Sequence, residues 1–138
     1  MNPTTVIIFG VFDGIHEGHR VFISDAKKEG ERLVGIVARD SVVVALKERS
    51  PVNNEVMRIK QLLEVPEMDS VFLGDLEQGT YNIIKEIKPD VIFLGYDQKE
   101  LGDDLSTAIE KGLLPKIEIK FGPPHKPEIF KSSIINKK

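Results

Sequence analysis

The chain has 138 residues, 41% hydrophobic and 30% charged, a size and composition typical of one globular domain spanning residues 1–138. It contains no cysteine, which excludes disulfides, thiolate metal sites and cysteine nucleophiles. A formal net charge of -3 argues against a nucleic-acid-binding surface, and no apolar run approaches the ~20 residues that cross a membrane, so we expect a cytoplasmic protein without either partner.

Short apolar segments alternate along the chain with segments of helical periodicity. The predicted strands are Thr4–Phe9, Leu33–Ala38, Ser70–Leu73, Asp90–Leu94 and Ile117–Phe121. The predicted helices are Gly18–Lys28, with Gly30 as its C′ glycine, Glu55–Glu64, Tyr81–Ile87 and a segment around Leu105–Lys111. Because right-handed crossovers join alternating strands and helices, the sequence predicts an α/β fold, a Rossmann-like three-layer sandwich with a mostly parallel five-stranded sheet.

The loop after the first predicted strand, GVFDGIHEGH (residues 10–19), carries the strongest chemical signal. Ligands bind beyond the carboxyl ends of strands in such a sheet. The glycines allow close approach, the helix start offers unpaired N–H groups, and His16 and His19 lie three residues apart on about one face. We predict a polyphosphate site here. Two alternatives stay open. In the first, Asp13 caps the helix, the glycines make a tight turn and the histidines are solvated; the second is a zinc site, for which no third clear ligand is close.

This loop resembles the hallmark G-[TC]-F-D-x-x-H-x-G-H of the cytidylyltransferase-like branch of the nucleotidylyltransferase superfamily. Every hallmark position matches except Val11, where the family commonly has a small polar or thiol residue. The resemblance implies that His16 and His19 are catalytic and contact the α and β phosphates. It also implies that the nucleotide is bound by Phe9, Gly10, Val11, Phe12 and Gly18.

The resemblance extends through most of the chain. Lys47, which follows VARDSVVVAL, resembles a catalytic phosphate-binding lysine, and together with Asp13 it is expected to bind the acceptor. Arg58 in EVMR resembles a nucleotide-binding arginine of the next helix. Judged without the family, Lys47 also fits an exposed charge cluster and Arg58 a helix surface.

Two further segments resemble nucleotide-binding parts of the family. Gly95 and Asp97 in KPDVIFLGYDQ match the segment beside the base and ribose, although they also fit an ordinary turn after a strand. Ser132 and Ser133 in KSSII resemble a serine motif that binds the triphosphate, and they also fit a helix N-cap. The family usually has an arginine shortly before that motif, and this chain has only lysines there.

The resemblance implies in-line attack of an acceptor phosphate on the α-phosphorus of ATP or CTP, with Mg²⁺ carried by the triphosphate and no metal ligands from the protein. VARDSVVVALK, FLGD and LGYDQ resemble the archaeal-type FAD synthases most, which predicts ATP and FMN as substrates. Glycerol 3-phosphate or another sugar or polyol phosphate with CTP remains an alternative, as does a nucleotide-binding regulatory module without turnover. A homodimer is expected from the resemblance alone.

Overall fold

The structure, a computed structural model, describes residues 4–47, 51–75 and 80–123. Its elements in chain order are β1 (Thr5–Gly10), α1 (Glu17–Lys27), β2 (Arg32–Val37), α2 (Asp40–Lys47), α3 (Glu55–Leu63), β3 (Ser70–Leu73), α4 (Asn82–Ile87), β4 (Val91–Leu94), α5 (Lys99–Glu110) and β5 (Glu118–Phe121). Across these three ranges, no helix has both the length and the apolar character needed to cross a membrane.

The five strands form one parallel sheet in the order β3-β2-β1-β4-β5. The pairing of β1 with β2 runs over six positions, from Thr5 opposite Arg32 to Gly10 opposite Val37. The chain moves outward from β1 through β2 to β3 and then returns to the other side of β1 at β4. The strand order therefore reverses between β1 and β4, which is where ligands bind in sheets of this kind.

Successive strand residues point to opposite faces of the sheet, so both faces carry apolar side chains, and helices cover both. Val6 and Ile8 pack in one apolar cluster with residues of α1 and α3, while Ile7 packs in a second cluster with residues of α4 and α5. The first cluster also includes Ile23 and Leu62. The predicted α/β three-layer architecture is confirmed, and within the described residues the sheet is wholly parallel.

Three local features differ from the sequence prediction. Helix α2 was not predicted, since its run of β-branched valines favours a strand by propensity. Helix α5 begins at Lys99, well before the predicted segment around Leu105. Gly30 is not the C′ residue, because α1 is capped by Lys28; a Cβ at Gly30 would lie 2.7 Å from Val6 Cγ2, so this glycine permits close packing on β1.

Candidate active site

The loop between β1 and α1 is shaped by Phe12, which lies in the core with 4% of its surface exposed. Its φ angle of 52° is in the left-handed region, as is that of Gly14 at 87°. The ring folds back over Gly10, where a Cβ would lie 2.8 Å from two ring carbons. Burial of a phenylalanine side chain contributes about 1.5–3 kcal/mol, enough to offset the ~1–3 kcal/mol of backbone strain.

His16 and His19 cap each other's backbone at the start of α1. His16 Nδ1 accepts hydrogen bonds from the N–H groups of Gly18 (3.1 Å) and His19 (3.4 Å), and His19 Nδ1 accepts one from the N–H of His16 (3.2 Å). The rings stack with centroids 3.8 Å apart and planes 24° apart. Since each Nδ1 is an acceptor, the proton of each neutral ring is on Nε2, which makes both rings Nε2–H donors.

This mutual cap changes one expectation from the sequence. The N–H groups of Gly18 and His19, expected to be unpaired at the helix start, already donate to His16. The cap is His16 and not Asp13, the residue considered in the structural alternative. The donors that this arrangement offers to an anion are therefore imidazole Nε2–H groups, that of exposed His16 directly and that of His19 in exchange for its bond to the Gly14 backbone.

The charge state of His19 follows from its surroundings. The pKa of His19 is lowered from 6.5 to about 4, chiefly by burial and then by the proximity of His16, while a hydrogen bond to the Gly14 backbone opposes the shift. His19 is consequently neutral at physiological pH. It acts as a polar donor and not as a cation.

Arg58 lies beneath the loop with none of its surface exposed. Its Nε donates to Asn53 O (3.0 Å), one terminal nitrogen to Val11 O (2.9 Å) and the other to Asp40 Oδ1 (2.6 Å). The guanidinium therefore joins the histidine loop to the start of α2 and to the segment before α3. The contact of Arg58 with the nucleotide stays a prediction. In the structure, its buried guanidinium holds the histidine loop in place through the bond to Val11 O.

Asp13 is also held by the protein. Its Oδ2 accepts from the Val52 N–H (2.7 Å), and its Oδ1 accepts from the backbone N–H and the side-chain amide of Asn53, both at 2.9 Å. Burial opposes ionisation, but the bonds from Asn53 and Val52 outweigh it and hold the pKa of Asp13 below its usual value. The carboxylate fastens the loop to residues 51–54, and its predicted contact with the acceptor is untested.

The strand order reverses between β1 and β4, beside the histidine loop, and sheets of this kind form a ligand-binding crevice at such a point. The β1–β4 ladder ends at Ile7 opposite Ile92, although both strands continue. The amide of Gln98 bridges the gap: its Oε1 accepts from the Gly95 N–H (2.8 Å) and its Nε2 donates to Phe9 O (3.0 Å). A Cβ at Gly95 would lie 3.0 Å from the carboxylate of Asp97, whose side chain is exposed.

The structure thus brings Phe9, Gly95 and Asp97 together at the carboxyl ends of β1 and β4, and their contact with the nucleotide stays a prediction. Sequence reasoning did not single out Gln98 as a site residue. Its only signal was an amide in the turn that follows a buried strand, and its partner Phe9 is 89 positions away in the sequence.

Three predicted site residues cannot be placed. Lys47 is the last residue of α2, and its side chain lies outside the described part of the structure, as do Ser132 and Ser133. In the ranges that the structure does describe, no cluster of three or more histidine, aspartate or glutamate side chains is arranged to hold a metal ion.

Comparison with known proteins gives matches over most of the chain. The family model described as cytidylyltransferase-like matches residues 7–136. An FAD synthase from Aciduliprofundum boonei is 42% identical over 94 residues, which are 68% of this chain and 62% of that protein. The chain therefore spans less than two-thirds of the length of this relative. An FAD synthase from Thermococcus sibiricus is 34% identical over 133 residues, covering 96% of this chain and 90% of the relative.

A solved structure shows the same architecture. The crystal structure of a lipopolysaccharide core biosynthesis protein from Thermoplasma volcanium matches with a TM-score of 0.79 and 33% identity. The match covers 88% of this chain and 98% of that one.

Proposed function

The chain belongs to the cytidylyltransferase-like family, and on that premise we propose that it is an FMN adenylyltransferase, which transfers AMP from ATP to FMN and releases pyrophosphate. The observation that carries the proposal is the stacked histidine pair at the end of β1, whose Nε2–H donors lie beside the crevice between β1 and β4. The relatives described as FAD synthases support ATP and FMN as the substrates.

The reaction needs positioning more than acid–base chemistry. A phosphate oxygen of FMN is already ionised, so it can attack the α-phosphorus without a general base while pyrophosphate leaves on the other side. His16 and His19 hydrogen-bond the α and β phosphates, where negative charge rearranges in the transition state. Phe9, Gly95 and Asp97 line the crevice for the ribose and adenine.

The remaining roles follow from the resemblance. Lys47 binds the α-phosphate or the acceptor phosphate, and Ser132 and Ser133 bind the β and γ phosphates. Magnesium fits as an ion carried by ATP, because the carboxylate of Asp13 in the loop is already hydrogen-bonded to residues 52 and 53. When bound, Mg²⁺ neutralises phosphate charge.

A substrate panel tests the proposal. The purified protein is mixed with ATP or CTP and with FMN, glycerol 3-phosphate or a heptose 1-phosphate, and both pyrophosphate and the nucleotide product are quantified. We expect FAD and pyrophosphate in equal amounts from ATP and FMN. Turnover with other pairs only, or with none, would contradict the proposal.

A second candidate acceptor is a sugar or polyol phosphate. The observation in its favour is the match to the Thermoplasma volcanium protein described as a lipopolysaccharide core biosynthesis protein, which spans nearly all of that chain. The same panel separates the two acceptors. The homodimer and the cytoplasmic location expected from the sequence stay predictions.

A further inference from the structure

A cavity of about 400 Å³ lies at the carboxyl ends of β2 and β3, near the start of α4. Its lining includes Arg39, Leu73, Asp75, Thr80, Asn82 and Glu86. In the sheet order this cavity lies on the opposite side of β1 from the crevice at β4. A nucleotide bound over β1 and β4 would therefore leave it empty, and a cavity of this size can hold a flat organic ring.

Arg39 is the cation among the described residues that line this cavity. Its Nε donates to Gly74 O at 2.8 Å, so the guanidinium reaches from the end of β2 across to the residue after β3. Among the described residues this is the hydrogen bond that the side chain makes, and the two terminal nitrogens remain as donors. The fixed fork of an anchored guanidinium suits a ligand that presents carbonyl oxygens or an anion.

Arg39 connects the lining of the cavity to the end of β1, where the histidine loop starts. The N–H of Ala38 donates to Gly10 O at 3.0 Å, and Arg39 is the next residue. Neighbouring strands lie ~4.8 Å apart, so the end of β3 is about 10 Å from the end of β1. An acceptor with its phosphate at the histidines needs a body of about that length to fill the cavity. FMN has such a body in its ribityl chain and isoalloxazine ring, whereas glycerol 3-phosphate does not.

The charges of the lining select the kind of group that fits. Among the described lining residues, Asp75 and Glu86 place two carboxylates around one guanidinium, which disfavours a phosphate dianion inside the cavity. Asp75 Oδ1 accepts from the Ile83 N–H at 3.1 Å, so this carboxylate is fixed at the start of α4. A neutral group with both acceptors and a donor matches a guanidinium beside carboxylates, and the pyrimidine-dione edge of isoalloxazine has carbonyl, N–H and carbonyl in a row.

We propose that Arg39 determines acceptor specificity by donating to the ring carbonyls of the flavin in this cavity, with Glu86 accepting from the ring N–H. This inference rests on the proposed function, since it takes FMN as the acceptor. It adds a binding site for the part of the acceptor that does not react.

The test uses Arg39→Ala and, as a matched control, Arg32→Ala, which removes an exposed arginine at the other end of β2. We measure KM for FMN and for ATP, and the Kd for riboflavin from flavin fluorescence. Riboflavin lacks the phosphate, so it reports on ring binding independently of turnover. Loss of a hydrogen bond to a charged group predicts about a tenfold to hundredfold rise in the FMN KM and the riboflavin Kd, with the ATP KM unchanged.

A second variant covers the case in which Arg39→Ala does not fold. Glu86→Ala changes an exposed residue of α4 and leaves the Arg39–Gly74 bond in place. We expect it to raise the riboflavin Kd about tenfold.

The outcomes separate this inference from the proposed function. If the wild type makes FAD while Arg39→Ala and Glu86→Ala keep wild-type values for FMN and riboflavin, the inference is overturned and the function stands. Equal rises in the KM for ATP and for FMN also overturn it, because they indicate general damage. If the wild type makes no FAD, the proposed function itself fails.

Discussion

At the residue scale, the histidine pair shows how a helix start can be made into a donor site. Each ring uses Nδ1 to satisfy the backbone of the pair, which leaves Nε2–H as its donor; in His19 this donor would exchange its bond to the Gly14 backbone for one to a phosphate. Burial, followed by the proximity of His16, lowers the pKa of His19 and keeps it uncharged. The site therefore offers fixed dipoles that need no reorganisation when charge moves to the departing pyrophosphate.

Removing one of these donors tests their role in catalysis. Loss of a single preorganised donor typically lowers turnover ~10²- to 10³-fold. We expect His19→Ala to lower kcat by about that factor while circular dichroism shows a folded protein. Lys28→Ala, an exposed change at the far end of α1, is the control. A folded His19→Ala variant with kcat near that of the wild type would remove His19 from the mechanism.

The pKa of His19 also predicts how stability depends on pH. The folded protein holds this ring neutral down to about pH 4, whereas the unfolded chain protonates it near its ordinary value of 6.5. The unfolded state thus binds more protons between these values, so the free energy of unfolding falls as pH drops through this window and is unaffected by His19 above it.

Urea denaturation at pH 7 and pH 5 measures this effect. The wild type should lose more stability between the two pH values than His19→Gln, which has no titrating ring at this position. Equal losses in the two proteins would show that His19 keeps an ordinary pKa when folded.

At the scale of elements, Arg58 fastens the histidine loop, α2 and the segment before α3 at one buried point. Arg58→Met keeps most of the volume and removes all three hydrogen bonds, which leaves Asp40 without its cation. We expect a loss of about 3 kcal/mol in the free energy of unfolding, measured by urea denaturation. Exposed Arg32→Ala is the control. Unchanged stability with weaker ATP binding would instead favour the nucleotide contact that the resemblance implies.

Gln98 makes a similar link at the crevice, because its side-chain amide hydrogen-bonds Phe9 at the end of β1 and Gly95 just after β4. Gln98→Ala should raise the KM for ATP by about tenfold and leave the KM for FMN unchanged. Glu100→Ala, an exposed change in the first turn of α5, is the control. A larger effect on FMN than on ATP would show that the crevice does not bind the nucleotide.

The strands could be predicted from the sequence because they are covered on both faces and so form continuous apolar runs. Helix α2 could not, since its valines favour a strand and part of its support comes from elsewhere in the chain. Asp40 at its start accepts from Arg58, and its N–H donates to Glu55 Oε1 at 2.7 Å. No local sequence pattern predicts such hydrogen bonds between distant residues.

The same limit applies to the site. The phosphate-binding role of residues 10–19 could be predicted because the glycines and histidines of this loop are close together in the sequence. The burial of Arg58 and the fastening of Asp13 to Asn53 were not, because they join residues 40 or more positions apart.

At the scale of the whole molecule, the strand order arranges the reaction. The crevice at β4 and the cavity at β3 lie on opposite sides of β1, and the histidine loop leaves β1 between them. A nucleotide on one side and an acceptor on the other would meet at the histidines. In-line transfer also requires the acceptor oxygen to attack the α-phosphorus opposite the departing pyrophosphate, and binding the two substrates on separate sides of β1 supplies part of this positioning.

The most direct test of this account follows the α-phosphorus of ATP. Wild-type protein is mixed with FMN and ATP radiolabelled at that atom, and the products are separated, with a His16→Ala/His19→Ala double variant in parallel. If the histidine pair catalyses transfer of AMP to FMN, we expect label in FAD, unlabelled pyrophosphate, and almost no product from the double variant. Label in any product other than FAD, or equal rates for the two proteins, would contradict it.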